Sequence, residues 1–214
     1  MLKIGETLDD EVYNNVKEMI INHKLKAGDL IVQNQLSKDL GVSRTPLRKA
    51  LGELEKEGLL KKTPKGWYVR EFTIGDMISV FEIRAVLEGL ACRLAAQKID
   101  QAEIAYLRTL FTSAYQSLDE NQAEGYYQAD IKFHSKILEI ANDWQLKKTV
   151  QTNQIISTSL MQGLYRQPKE TYKEHMAIID ALEQGNGDLA EDLMCQHLRA
   201  AVSVLKSGKY EIYK

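Results

Sequence analysis

Apolar positions in the first part of the chain recur at helical spacing and then give way to a hairpin. Val12, Val16, Met19 and Ile20 predict a helix from Leu8 to roughly His23. Ala27-Gly28-Asp29 reads as a turn, Asn34 to Leu40 as a short helix with Leu36 and Leu40 inward, and Gly41 as its stop. A third helix from Ser43 to Glu57 gathers Leu47, Ala50, Leu51 and Leu54 on one arc and Arg44, Thr45, Arg48 and Gly52 on another. Ser43 stands at its N-cap and Pro46 in its first turn, where a missing N–H costs nothing; the Ser43 hydroxyl is therefore expected to accept from the N–H of Thr45. Gly58 closes this helix. Leu59–Thr63 and Trp67–Arg70 then read as two short strands about Pro64-Lys65-Gly66. Three helices and a basic-tipped hairpin follow the order of a winged helix-turn-helix. In that arrangement the third helix enters the major groove and the hairpin touches backbone or minor groove.

After Phe72-Thr73 the pattern is helical to about Lys206. Six helices are expected, at 74–97, 101–119, 122–141, 143–165, 168–184 and 187–206. Loops this short imply an antiparallel bundle. The expected fold is mainly α: a winged helix-turn-helix DNA-binding domain over residues 1–72 and an all-α domain over 73–214, joined by a short hinge at Glu71–Ile74.

The bundle carries three of the four histidines. Asp130 and His134 are i and i+4 on a face shared with Phe133, Ile137 and Ala141. His175 shares its face with Tyr172, Ile178, Ile179 and Leu182, and His197 with Ala190, Leu193, Ala201 and Val204. Ionisable groups on the buried side need partners. Three imidazoles and a carboxylate from three helices suit Zn²⁺, Ni²⁺ or Mn²⁺; hydrogen-bonded core histidines are the other reading. Arg84 falls on an apolar face with Val80, Leu87, Ala91 and Ala95. There it either meets a carboxylate ligand bidentately or pairs with Glu88 at i+4. Asn153 and Ser157 interrupt the stripe of Leu146, Val150, Leu160 and Leu164, as pocket lining or as a satisfied polar pair. Cys195 lies far around its helix from His197, and Trp67 and Trp144 read as packing residues.

Composition alters this picture only locally. The 214 residues carry a formal net charge of −2, which does not advertise nucleic-acid binding, but the stretch from Arg44 to Arg70 carries +5. No apolar stretch reaches the roughly 18 residues of a membrane span, and no signal peptide is expected at the start. Cys92 and Cys195 form no CxxC pair, so a reducing cytoplasm is the expected compartment.

Val42-Ser43-Arg44-Thr45-Pro46-Leu47-Arg48, Leu54, Glu57-Gly58-Leu59 and Gly66 before Val69 resemble the GntR family of bacterial transcription regulators, as does Ala27-Gly28-Asp29-Leu30. Lys49 stands where that family usually has Glu. Gln33 and Gln35 replace acidic residues and Asn34 a basic one, which leaves the operator sequence open. Asp130-Ile131-Lys132-Phe133-His134, Glu174-His175, Gly187-Asp188-Leu189-Ala190-Glu191, Met194 and His197-Leu198 resemble the ligand-binding FCD domain of the FadR-type subfamily, and the six-helix length its VanR-like branch. The resemblance implies that Asp130, His134, His175 and His197 bind a divalent metal, zinc or nickel foremost, beside a pocket for a small carboxylate effector that Arg84 would face; Asn153 is a candidate effector residue from its place in the stripe.

The expected function is a homodimeric, metal-containing, effector-responsive transcription regulator, in the repressor sense, with double-stranded operator DNA and a small organic acid as partners. Ser43, Arg44, Thr45, Arg48 and Lys49 on the third helix, with Lys65 and Gly66 in the wing, are the expected DNA contacts. Two alternatives stand beside it: a metal-dependent hydrolytic enzyme, for which no separate general base or nucleophile motif is found, and a DNA-binding regulator whose metal is purely structural.

Overall fold

The computed structural model describes residues 7–118, 123–150 and 164–208. They fall into two compact units that divide between Thr73 and Ile74.

In the first unit, α1 (Leu8–Ile21), α2 (Gln33–Asp39) and α3 (Arg44–Lys56) precede a hairpin of β1 (Leu60–Thr63) and β2 (Gly66–Val69). Thr7 opens α1 with a capping box: its side chain accepts from the Asp10 N–H while the Asp10 side chain accepts from the Thr7 N–H. Val12, Val16 and Ile20 turn inward against α3, which buries Leu47, Ala50, Leu51 and Leu54. Four fully buried α3 positions are enough to fix which face of that helix is left for solvent. Gly41, at φ 66°, reverses the chain between α2 and α3. The strands pair antiparallel, Leu60 with Val69 and Thr63 with Gly66.

Two findings differ from the sequence reading here. Ser43 is the N-cap of α3, but its side chain makes no capping bond. The turn before Gln33 is also more than a turn: Gly28 and Ile31 donate to the Val69 and Trp67 carbonyls, Val69 donates to Asp29, and Leu30 bridges Tyr68. This segment covers the open edge of β2, which no local pattern signals.

The second unit holds α4 (Ile74–Ala95), α5 (Gln101–Gln116), α6 (Glu124–Ala141), helical residues 144–150, α7 (Pro168–Glu183) and α8 (Gly187–Ser207). Of the expected helix 143–165, residues 144–150 are helical and 164–165 are not, while 151–163, Asn153 and Ser157 included, lie outside the described residues; the other five expected helices are present. Asp100 caps α5 with a capping box to Glu103, and Asn142 ends α6 in the left-handed region at φ 49°. Helix α4 packs along α8 and α6. Gly89 lets α4 and α8 close up: a Cβ there would lie 2.6 Å from Cys195 Sγ. Apolar residues surround α4 on all sides, yet Ile83 and Val86 stay 45% and 56% exposed on its outer face, in line with the half-buried Leu87, Leu90 and Leu94.

Trp144, read from the sequence as a packing residue, is 72% exposed, whereas Trp67 is buried and donates to Glu55. Position 144 begins a helix behind Asp143, and its neighbours Leu146 and Val150 take the inward face instead. Among the described residues no helix is long and apolar enough to cross a membrane.

Candidate functional site

Ser43, the N-cap of α3, and Arg44, Thr45, Arg48 and Lys49 within it are all exposed, whereas its leucines are buried. Two guanidiniums, an ammonium and two hydroxyls exposed along the start of one helix match phosphates and base edges. Lys49 also forms an ion pair with Asp9 of α1 at 2.7 Å, between two largely exposed side chains. In the wing, Lys65 is exposed at the tip. Gly66 holds φ 133°, and a Cβ on it would come within 3.2 Å of Leu30, so the tight turn depends on glycine. The Thr63 hydroxyl accepts from the Lys65 N–H, which orients the tip. Lys62 stacks over Trp67 with its ammonium 4.9 Å from the ring.

The second cluster is built inside the bundle. Asp130 and His134 project from successive turns of α6, His175 from α7 and His197 from α8. One ligand atom of each lies within 4.8 Å of every other. His134, His175 and His197 are buried and Asp130 nearly so. Asp130 Oδ1 lies 3.2 Å from His175 Nε2 and 3.8 Å from His134 Nε2. Phe111 stacks on the His175 ring at 4.1 Å between centroids, and Phe133 packs edge-on against both His134 and His175. Aromatic rings therefore wall one side of the polar cluster.

Each imidazole is held from behind through Nδ1. His134 Nδ1 meets Glu88 Oε2 at 2.5 Å, and His197 Nδ1 meets Glu174 Oε2 at 2.8 Å. His175 Nδ1 lies 3.3 Å from the Tyr126 hydroxyl. Ionised carboxylates only accept, so Glu88 and Glu174 keep the Nδ1 hydrogens and leave Nε2 with its lone pair. Both carboxylates are backed by guanidiniums. Arg84 Nε donates to Glu88 at 2.6 Å, and Arg166 grips Glu174 bidentately at 2.6 and 2.7 Å.

Burial works to raise the Glu88 carboxyl, but Arg84 and His134 outweigh it and bring it down to about 2. Glu174 also reaches about 2, with burial opposed by its bonds from His197 and Arg166. Burial against Asp130 is likewise overcome, by His134, His175 and His197, so its carboxyl stays well below the usual range. Burial first, and His197 second, push the His175 imidazole down to about 3, leaving it neutral at physiological pH. Burial lowers His197 in the same direction.

This donor set fits a divalent cation. Neutral imidazoles and an ionised carboxylate are the ligand forms a metal requires. His175 Nε2 is buried with Asp130 Oδ1 3.2 Å away, two ligand atoms that one shared cation would satisfy together. The geometry brings together all four residues singled out from the sequence.

A cavity opens beside the cluster, lined by Arg84, Asp130, His134, Arg166, Thr171 and His197 among others. Arg84 pairs with Glu88, the second of its two expected partners, and it also lines the cavity. Sequence reasoning missed Glu174, Arg166, Tyr126 and Thr171 as parts of the site. The signal was spacing: Tyr126 lies one helical turn before Asp130, and Thr171 one turn before His175, on the same faces.

Comparison with known proteins agrees with these two units. The FCD domain family matches residues 79–200, and the family described as bacterial regulatory proteins, gntR family, matches residues 8–69. The HTH-type transcriptional regulator YdhC of Bacillus subtilis (strain 168) is 28% identical over 212 residues, covering 93% of each chain. The Nta operon transcriptional regulator of Aminobacter aminovorans is 28% identical and covers 91% of this chain and 95% of its own. The HTH-type transcriptional repressor RspR of Escherichia coli (strain K12) is 24% identical, with 91% and 87% covered. Among solved structures, E. coli McbR/YncC superposes with a TM-score of 0.78 at 21% identity, over 95% of this chain and 99% of that one.

Proposed function

The chain belongs to the gntR family of bacterial regulatory proteins, with an FCD domain behind its winged helix, and from that premise we propose a metal-containing repressor whose operator binding responds to a small carboxylate. That it is a DNA-binding transcriptional regulator follows from the family and its relatives. The observation that carries the finer reading is the convergence of Asp130, His134, His175 and His197 beside a cavity lined by two arginines.

Asp130 Oδ1 and the Nε2 atoms of the three histidines would hold zinc or nickel, with Glu88, Glu174 and Tyr126 fixing the ring orientations. A cation bound there supplies a Lewis-acidic position to which a carboxylate oxygen can bind. Arg84 and Arg166 contribute the complementary charge on the cavity wall; Asn153 remains a candidate for the same role. Anion binding that disturbs the Arg166–Glu174 pair changes the contacts between residues 164–167 and α7. This gives the effector a differential interaction with two bundle states. The connection at Glu71–Ile74 carries the change to the DNA-binding unit.

Arg44, Thr45 and Arg48, with Ser43 and Lys49 beside them, would read the major groove, and Lys65 and Gly66 the adjacent backbone. One such unit covers a half-site, so the protein acts as a homodimer. The uncovered face of Ile83, Val86 and Leu90 on α4 supports that assembly. A regulator of this kind works in the cytoplasm. The test is an operator selected from a random duplex pool. Its affinity for the metal-loaded protein is measured against a panel of mono-, di- and tricarboxylic acids, and one class of acid is expected to shift it.

A further inference from the structure

The cavity beside the cluster has a lining of two kinds. Arg84, Asp130, His134, Arg166 and His197 are ionisable, whereas Phe81, Leu164, Tyr165, Leu198 and Ala201 are apolar and buried. Only Tyr165 in the second group carries a polar atom. Its hydroxyl lies 3.6 Å from Met77 Sδ, and its ring stands edge-on to Phe81. Thr171 also lines the cavity, but its hydroxyl is already engaged, 3.1 Å from the Tyr126 hydroxyl and 3.3 and 3.4 Å from the carbonyls of Pro168 and Gln167. The space is about 400 Å³ with its open mouth included, at the lower end for small-molecule sites.

Charge decides how many acid groups such a cavity takes. Arg84 reaches it with Glu88 at 2.6 Å, and Arg166 with Glu174 at 2.6 and 2.7 Å. Each guanidinium thus brings its own counter-charge. Glu170, 3.6 Å from Arg166 and 59% exposed, adds a further, solvent-screened negative charge. Among the described residues around the cavity this leaves the Asp130 carboxylate without a cation of its own. A divalent ion on the cluster turns that single negative charge into a single positive one, which matches one carboxylate. The stretch 151–163, which runs into Leu164, contains no ionisable residue and leaves the balance unchanged.

Resting on the reading of this cluster as a metal site with a carboxylate effector, we propose that the effector is a small monocarboxylic acid with an apolar body. Its one carboxylate meets the single positive charge of the loaded cluster, and its body lies against Phe81, Leu164, Tyr165, Leu198 and Ala201. A second carboxylate, or a row of hydroxyls, would give up its hydration to apolar side chains and to guanidiniums already matched.

The experiment titrates the full-length protein, zinc-loaded and metal-free, by calorimetry with acids of matched size: butyrate against succinate, benzoate against isophthalate, and gluconate as the polyhydroxy acid. The zinc-loaded protein is expected to bind butyrate and benzoate more tightly than succinate, isophthalate and gluconate by about tenfold or more, and the metal-free protein to bind none of them. Glu174→Gln, saturated with zinc, leaves Arg166 without its main counter-charge. It should narrow the butyrate-to-succinate ratio by about tenfold, a ratio taken within one protein and so independent of how tightly that protein holds zinc. Leu198→Ala should weaken benzoate by about fivefold relative to acetate, which is too short to need the apolar lining. If Glu174→Gln does not fold, the Leu198 variant and the wild-type ratios carry the decision. Succinate or gluconate binding as tightly as butyrate would overturn the proposal and leave a carboxylate effector standing. Zinc-loaded protein that binds none of the acids would overturn both.

Discussion

His175 Nε2 is buried and sits 3.2 Å from Asp130 Oδ1. Two ligand atoms so close, backed by aromatic rings and beside a cavity, define where an ion would bind. Removing Asp130 or His175 as alanine should abolish stoichiometric Zn²⁺ or Ni²⁺ binding, measured as metal content after dialysis of the folded protein. His23→Ala, on the unit without the cluster, should leave the content at wild-type level. Retention of one ion per chain in the Asp130 or His175 variant would locate the metal elsewhere.

The buried charges set an acid limit on the metal-free protein. His175 is neutral in the fold, with its pKa brought from 6.5 to about 3 by burial and His197. The unfolded chain therefore binds the extra proton first as pH falls below about 6.5, and stability declines toward acid. Glu88 and Glu174, brought from 4.5 to about 2, add to the decline below about 4.5 because their folded forms resist protonation. Urea midpoints from about pH 8 down to pH 4 should be nearly flat at first and then fall steadily. A midpoint that rises on acidification would contradict the assigned charge states.

Glu88 holds two partners at once, the Arg84 guanidinium and the His134 ring. Truncating it leaves a buried cation uncompensated, so Glu88→Ala should lose about 3–5 kcal/mol of stability, read from denaturant unfolding. Replacing both charges together, as Arg84→Met with Glu88→Leu, should recover most of that loss because the pair is removed whole. The double variant should still bind metal less well than wild type, since His134 has lost its acceptor.

On the DNA-binding unit, Arg48→Ala should weaken operator binding by about 1–3 kcal/mol and relax preference at one base position. Lys65→Ala should instead weaken binding evenly across sequences and reduce the salt slope by about 1. Fluorescence anisotropy over a salt series separates the two. An Arg48→Ala variant that binds as tightly as wild type would remove α3 from the groove.

The outer face of α4 is the place to break the homodimer. Val86, 56% exposed between Ile83 and Leu90, should tolerate a charge in the isolated fold but not in an apolar interface. Val86→Glu should sediment as a monomer with unchanged helicity. A dimer of undiminished strength would place the interface on another face.

Much of this was legible because periodic patterns report burial directly. The buried arcs of α3 and α6 follow from leucine and phenylalanine spacing, and Asp130, His134, His175 and His197 stand out as ionisable groups on apolar faces. Less legible were contacts between elements distant in sequence. Glu174 is an ordinary acidic position on its helix, and only the fold brings Arg166 and His197 to it. Glu88 reads as an i+4 partner of Arg84, while its bond to His134 spans 46 residues. The pairing of residues 28–31 with β2 carries no periodicity at all. Trp144 misled in the other direction: a large aromatic is taken for core, yet its place at a helix start puts it outside.

The central claim is that the bundle site and the operator are coupled. Its most direct measurement is operator affinity of wild type and Asp130→Ala, each with and without metal and with the acid that shifts the wild-type protein. A metal-dependent shift is predicted in wild type, typically about 5- to 150-fold for a coupling of this kind, and none in Asp130→Ala. An equal shift in both proteins, or metal-dependent turnover of the acid in place of a shift, would contradict the account.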